Sequence, residues 1–237
     1  NTYTGTTTID TGTLRLGVIP SVAPYMLPPL LPLLREAYPD LELHVRETQT
    51  QVLTDELLEG KLDVLLLALP LKHTDLTNRK LFEDKFLLAV PKDRKLSGRV
   101  RATKELIEHE RLLLLEEGHC LRDQALTYCS LQQVDAVNTF GASSLATIVE
   151  MVSAGYGITL LPEMAVGIEE RGRDITLVRF VDPEPSRTIG LVWRSTSPRT
   201  QDFEELGRLV TKAWKEGPLA IALGGSRSRK PITAAGS

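Results

Sequence analysis

The chain has 237 residues, of which 42% are hydrophobic and 25% charged, and its formal net charge at pH 7 is -3. This composition excludes a disordered or fibrous protein, and the length allows one or two domains with full cores. DNA-binding domains carry a basic face, so the charge argues against DNA binding by this chain itself. The longest apolar run, 62–71, is interrupted by Asp63 and is far shorter than the ~20 residues of a membrane-spanning helix. No secretory signal is visible, and a start at Asn1 indicates a fragment or a processed product.

The first half of the chain alternates between predicted strands and helices. Apolar alternation and continuous apolar runs predict strands at 14–19, 41–47 and 63–69, with helices at 25–38 and 51–59 between them. A β-α-β-α-β order of this kind forms a parallel sheet with right-handed crossovers. Such sheets bind ligands outside the carboxyl ends of their strands.

The second half repeats this pattern, with strands at 86–90, 112–115, 158–161, 175–180 and 188–194 and helices at 103–110, 144–154 and 198–215. The predicted fold class is therefore α/β, with two doubly wound lobes joined by crossover strands and a ligand cleft between them. We assign residues 14–88 and 192–217 to the first lobe and 89–191 to the second. Residues 1–13 and 218–237 are predicted to be flexible tails.

Several catalytic motifs are missing from the sequence. It has no phosphate loop, no complete dinucleotide fingerprint, no His-Glu-x-x-His and no nucleophile elbow. The four histidines have no ligand spacing with one another or with the two cysteines. We therefore expect neither a metal site nor a cofactor.

Both cysteines lie in one charged, turn-rich segment that includes 118–129. Cys120 falls at the start of a predicted helix, where unpaired N–H groups favour an anion. Arg122 adds positive charge, as His119 does whenever it is protonated. A thiolate in such surroundings can attack a peroxide, and the sulfenic acid that results condenses with a second thiol. The residues alone leave two interpretations open: a redox pair, or small buried apolar cysteines.

The spacing of the cysteines carries a second inference. Nine residues along a continuous helix give a rise of ~13.5 Å and place the two side chains on opposite faces. A disulfide needs Cα atoms ~4.4–6.8 Å apart. If the segment is helical when reduced, disulfide formation requires the helix to unwind, which is typical of a switch.

The sequence 118–125 (GHCLRDQA), with a second cysteine at position 129, resembles the redox segment of the OxyR family, the peroxide-sensing transcription activators of the LysR type. Further similar stretches lie at 17–25, 47–50, 144–152, 154–162 and 183–191, so the resemblance spans about 14–217. It implies a regulatory domain with two lobes like those of periplasmic binding proteins, the first of which dimerises. The family's helix-turn-helix DNA-binding domain and linker helix are not in this chain.

The resemblance also implies a function and its partners. The domain would be a non-enzymatic sensor of hydrogen peroxide in the bacterial cytoplasm, a homodimer within a tetrameric activator of antioxidant genes. It would contact DNA only through the missing domain, have no membrane partner and be reset by a thiol reductant such as glutaredoxin. Cys120 would be the peroxidatic thiol and Cys129 the resolving one.

The family's peroxide pocket corresponds to Ser21, Thr50, His119 and Arg187, with Arg122 and Asp123 as supporting residues. The family pattern has Thr where this chain has Ser21, which keeps the hydroxyl group and loses a methyl group. Each residue also has a simpler interpretation. Ser21 and Thr50 could each cap a helix. His119 could lie on the surface, Arg187 could be solvated, and Asp123 could pair with Arg122 or begin a helix.

Two other functions stay open at this point. One is a LysR-type domain that binds a small-molecule effector and has incidental cysteines. The other is a thiol peroxidase.

Overall fold

The computed structural model describes residues 12–94, 101–116, 118–129 and 142–224. Of the two predicted tails, residues 1–11 and 225–237 lie outside the described residues. Within the part of the chain that is described, no helix is both long and apolar enough to cross a membrane.

The first lobe follows the predicted order of elements. It contains β1 (Gly12–Val18), α1 (Ala23–Ala37), β2 (Leu41–Glu47), α2 (Thr50–Leu58) and β3 (Val64–Leu69). Strand β1 lies between β2 and β3 and pairs in parallel with both. The apolar run of β3 is almost entirely buried, as expected for a strand with both faces covered. The carboxyl ends of β1 and β2 therefore lie side by side.

Two long antiparallel strands join the lobes. These are β4 (Leu76–Pro91) and β7 (Ser186–Arg194), and β7 lies between β3 and β4. The sequence predicted only the last part of β4, because its first part is mostly polar and half of its residues are exposed. Residues 76–85 of β4 pair with β7, whereas residues 86–91 pair with strands of the second lobe.

The second lobe contains α3 (Lys104–Glu108), α4 (Cys120–Cys129), α5 (Leu145–Ser153), β5 (Thr159–Pro162), α6 (Glu163–Glu169) and β6 (Ile175–Arg179). Strands β5 and β6 both pair antiparallel with β4. The predicted strand at 112–115 is buried but forms only isolated parallel bridges, at Leu112 and Leu115. The short helix α6 was not predicted. The two-lobed α/β class is confirmed.

The chain ends differently from the prediction. Helix α7 (Thr200–Glu216) is followed by α8 (Pro218–Gly224), so the expectation of a flexible tail from 218 is wrong for the described residues. Helix α8 packs on α6 and α7, and Ile221 contacts α6 so closely that a Cβ on Gly167 would lie 2.8 Å from its Cγ2. Residues 12 and 13 likewise belong to β1 and not to a tail.

The strand register also moves the predicted lobe boundaries by a few residues. Thr188 to Leu191 pair with β3 of the first lobe, although the sequence placed them in the second. On β4 the pairing changes from β7 to the strands of the second lobe at Phe86, slightly before the predicted boundary at 88.

Candidate functional site

The first contact of the site joins the two lobes at Cys120. Cys120 is the first residue of α4, and its partly buried Sγ lies 2.9 Å from the Oγ1 of Thr50, the first residue of α2. The residue that caps α2 is Gln49, and no side chain donates or accepts a capping bond there. The interpretation of Thr50 as a helix cap is therefore wrong, and its hydroxyl group faces the thiol instead.

The loop before Cys120 is held close to the first lobe. Gly118 has φ +90°, and a Cβ at this position would lie 2.3 Å from the Oε1 of Gln49. Only glycine combines that backbone conformation with such a close approach. Gln49, which directly precedes Thr50, was not predicted from the sequence.

His119 is a buried residue and not a surface one. It is 5% exposed, and its Nε2 lies 3.7 Å from Glu116 Oε1, beyond hydrogen-bond distance. Nε2 has no hydrogen-bond partner within the described residues. Its backbone carbonyl accepts a bond from the N–H of Arg122, which holds the histidine at the start of α4.

The second contact of the site joins Ser21 to Arg187. Ser21 follows β1, and Arg187 is the second residue of β7 with no exposed side-chain surface. The Nη1 of Arg187 donates to Ser21 Oγ at 2.7 Å, and its Nη2 donates to the Ser21 carbonyl at 3.0 Å. The alternative of a solvated Arg187 is therefore wrong. The alternative of Ser21 as a helix cap is also wrong, because Val22 is the cap of α1 and no side chain makes a capping bond there.

Asp84 completes this second contact and was not predicted from the sequence. Its Oδ2 accepts from Arg187 Nε at 3.0 Å, and its Oδ1 accepts from the backbone N–H of Met164 at 3.1 Å. Burial raises the pKa of Asp84 to about 6, against the opposing charge of Arg187 and together with that of Glu163. The signal was present in the alternation of Phe82, Glu83, Asp84, Lys85 and Phe86, which places Asp84 on the buried face.

The two supporting residues behave differently. Arg122 is buried, and its Nη1 donates to the carbonyl of Leu115 at 2.9 Å and not to Asp123. It therefore anchors α4 to the buried segment 112–115. Asp123 is exposed in the first turn of α4, as expected for a carboxylate that favours a helix N-terminus.

Cys129 ends α4 in different surroundings. It is 4% exposed, and burial raises the pKa of its thiol to about 11, which the nearby Lys104 opposes. Its neighbour Tyr128 packs edge-on against Phe180. Cys129 is therefore a protonated, shielded thiol, whereas Cys120 is partly exposed beside a hydroxyl group.

The structure thus forms two contact pairs and separates the cysteines. Thr50 meets Cys120, and Ser21 meets Arg187, at the carboxyl ends of the adjacent strands β2 and β1. The two free cysteines lie at opposite ends of α4, which corresponds to a rise of ~13.5 Å. No disulfide can form across that distance while α4 is intact.

Metal-ligand side chains are not clustered in the described part of the chain. No three His, Cys, Asp or Glu side chains among them are grouped so that they could hold a metal ion.

Comparison with known proteins identifies relatives for nearly the whole chain. Residues 9–215 match the LysR substrate binding domain family. The chain is 44% identical over 214 residues to a probable hydrogen peroxide-inducible genes activator of Streptomyces viridosporus, covering 89% of this chain and 68% of that protein. It is 41% identical over 199 residues to the DNA-binding transcriptional dual regulator OxyR of Escherichia coli K12, covering 84% of this chain and 65% of that protein. The chain thus spans about two thirds of the length of these relatives.

Solved structures agree with the sequence relatives. An H2O2-bound cysteine-to-serine mutant of Corynebacterium glutamicum OxyR has a TM-score of 0.87 at 34% identity, covering 95% of this chain and 71% of that one. The reduced OxyR regulatory domain from Pseudomonas aeruginosa has a TM-score of 0.75 at 33% identity, covering 84% of this chain and 98% of that one. The chain belongs to the LysR substrate-binding domain family and, within it, to the OxyR group of hydrogen peroxide-inducible genes activators.

Proposed function

We propose that this chain is the peroxide-sensing regulatory domain of a LysR-type transcription activator. The observation that carries the proposal is the 2.9 Å contact between Thr50 Oγ1 and Cys120 Sγ at the start of a helix whose other end is Cys129. A partly exposed thiol beside a hydroxyl donor and a shielded second thiol on the same element are the parts that a disulfide switch needs. The relatives named for hydrogen peroxide induction support the same function.

The chemistry begins at Cys120. Its thiolate attacks one oxygen of hydrogen peroxide: an S–O bond forms, the O–O bond breaks, and the departing hydroxide takes up a proton to become water. The sulfur is oxidised to a sulfenic acid. Thr50 can donate its hydroxyl hydrogen to the thiolate, and Ser21 and Arg187 supply donors on the adjacent strand ends for the leaving oxygen. His119 and Arg122 hold the start of α4 around the reacting sulfur.

The second step joins the two cysteines. The sulfur of Cys129 attacks the sulfenic sulfur of Cys120, an S–S bond forms, and the hydroxyl leaves with the thiol proton as water. Because the thiols begin at opposite ends of α4, this step requires α4 to unwind. The remodelled segment is the output signal of the domain.

The signal must reach a DNA-binding domain, which in this proposal belongs to the part of the protein outside this chain. We place a dimer interface on the first lobe, where Leu31 of α1 and Val45 of β2 are 40% and 42% exposed despite being large and apolar. The full protein would be a tetramer in the bacterial cytoplasm. A cellular thiol reductant such as glutaredoxin would restore the two thiols.

Free-thiol titration before and after one equivalent of hydrogen peroxide tests this proposal. We expect the two thiols to be lost together, whereas a domain with incidental cysteines would keep both. Cys120→Ser should retain its remaining thiol, and Cys129→Ser should form a sulfenic acid that a dimedone-type probe traps at Cys120. Rapid turnover of peroxide with a reductant would indicate a thiol peroxidase instead.

A further inference from the structure

The buried ion pair between Asp84 and Arg187 lies at the junction of both lobes. Asp84 and Arg187 are directly opposite in the antiparallel register of β4 and β7, and neither side chain has any exposed surface. One carboxylate oxygen of Asp84 binds Arg187, and the other accepts from the backbone N–H of Met164 at the start of α6 in the second lobe. Arg187 in turn holds Ser21 of the first lobe. The pair therefore connects the second lobe to a residue of the proposed peroxide site.

A fully buried guanidinium group needs both charge compensation and acceptors for its N–H bonds. Three of the five N–H bonds of Arg187 are used in its contacts with Asp84 and Ser21. Asp84 contributes the only negative charge within salt-bridge distance of Arg187 among the described residues. Without that charge, the planar group would lose the partner that fixes its rotation about the last side-chain bonds.

The contact with Ser21 has a direction that matters for chemistry. Arg187 Nη1 donates to Ser21 Oγ, so the serine oxygen acts as the acceptor and its own hydrogen is left to be donated elsewhere. Donation into a hydroxyl oxygen also strengthens the hydrogen bond that this hydroxyl donates. The Asp84–Arg187 pair therefore orients and polarises the Ser21 hydroxyl group.

We infer that Asp84 is a positioning residue of the peroxide site, which acts through Arg187 to aim the Ser21 hydroxyl at the leaving oxygen of a peroxide. This inference rests on the proposed function. Asp84 itself touches neither the reacting sulfur nor the peroxide, and its effect is on the rate of the peroxide step.

The test compares two reactions of Cys120 in the Asp84→Asn variant: oxidation by hydrogen peroxide and alkylation by iodoacetamide. Misplacement of a reacting group by ~1 Å can cost about 100-fold in rate, so we expect peroxide oxidation to slow by about 10- to 100-fold. Alkylation does not use the Ser21 hydroxyl and should be unchanged. Equal slowing of both reactions would show a merely structural role and overturn the inference.

Asp202→Asn is a matched control. Asp202 is also a buried carboxylate, and its Oδ2 accepts from Arg199 Nε at 3.0 Å, the same atoms and distance as in the Asp84–Arg187 pair. It lies on α7, away from the cysteines. Arg199 is partly exposed, so the pair is less buried than that of Asp84. Both rates should match those of the unsubstituted chain, because loss of an ion pair elsewhere does not change the Ser21 hydroxyl.

The same Asp84→Asn change in a chain that already lacks Arg187 shows whether Asp84 acts through Arg187. In an Arg187→Met chain, the further change Asp84→Asn should leave the rate of peroxide oxidation unchanged, because the guanidinium group through which Asp84 acts is already absent. This double variant removes both charges of the buried pair and keeps the test available if Asp84→Asn alone does not fold. An additional slowing in that background, as large as in the unsubstituted chain, would overturn the inference. Failure of the proposed function would look different, since the unsubstituted Cys120 would then react with peroxide no faster than a free thiol.

Discussion

The stability of helix α4 should set the reduction potential of the Cys120–Cys129 pair. Thr127 lies near the end of this helix with its side chain exposed, and its hydroxyl donates to the Asp123 carbonyl at 2.8 Å. Thr127→Ala and Thr127→Gly both remove this hydroxyl and differ from each other only in helix propensity. Comparison of the two variants therefore isolates the free energy of the helix.

The expected difference follows from the geometry. The helix must open before the sulfurs can meet, so helical structure stabilises the reduced state alone. Glycine is less favourable than alanine in a helix interior by ~1 kcal/mol. For a two-electron couple, 30 mV corresponds to ~1.4 kcal/mol, so the potential of the glycine variant should be about 20 mV more negative than that of the alanine variant.

Equilibration in glutathione buffers, followed by alkylation and mass spectrometry, measures these potentials. Lys212 is exposed within α7, which packs on α1, α8, β4 and β7. Lys212→Ala and Lys212→Gly therefore provide the matched control with equal potentials. If the two Thr127 variants have the same potential, or if the glycine variant has the less negative one, α4 does not open during oxidation and the switch mechanism is wrong.

Three further results are expected. Because burial raises the pKa of Cys129 to about 11, alkylation of this thiol in the reduced fold at pH 8 should be slow and should accelerate strongly in urea. Mass spectrometry follows the reaction, and rapid labelling of Cys129 in the native chain would contradict its burial. Gly118→Ala and Gly172→Ala both place a side chain at positive φ, and each should lower the free energy of unfolding by about 1–2 kcal/mol. Only Gly118→Ala should also slow peroxide oxidation, because its side chain displaces Gln49. Burial raises the pKa of Asp84 from 3.8 to about 6. The stabilisation from the protonated carboxyl group is therefore fully present when the pH is below the pKa of the unfolded chain, and it is lost as the pH rises through about 6. Urea titrations give the free energy of unfolding of the unsubstituted chain and of Asp84→Asn. The difference between the two should fall by up to about 3 kcal/mol from pH 4 to pH 7, and a rise over this range would refute the raised pKa of Asp84.

The sequence predicted the elements whose signals are local. The apolar run of β3 and the starts of the helices near 103 and 144 were predicted correctly, because each signal depends on neighbours within a few residues. The first part of β4 and the helix α8 were missed for the opposite reason. Each is ordered by the surface on which it lies, β4 by pairing with β7 and α8 by packing on α6 and α7.

The candidate site divides in the same way. The sequence by itself determined the two cysteines, their nine-residue spacing and the place of Cys120 at the start of a helix, since these follow from local chemistry and from resemblance along the chain. Only the tertiary structure decided that Thr50 meets Cys120, 70 residues away, and that Asp84 meets Arg187, 103 residues away. Those contacts depend on how two lobes pack and on the register of two crossover strands. Because a shift of one residue in that register would turn Asp84 to the opposite face of the sheet, no local pattern could have paired it with Arg187.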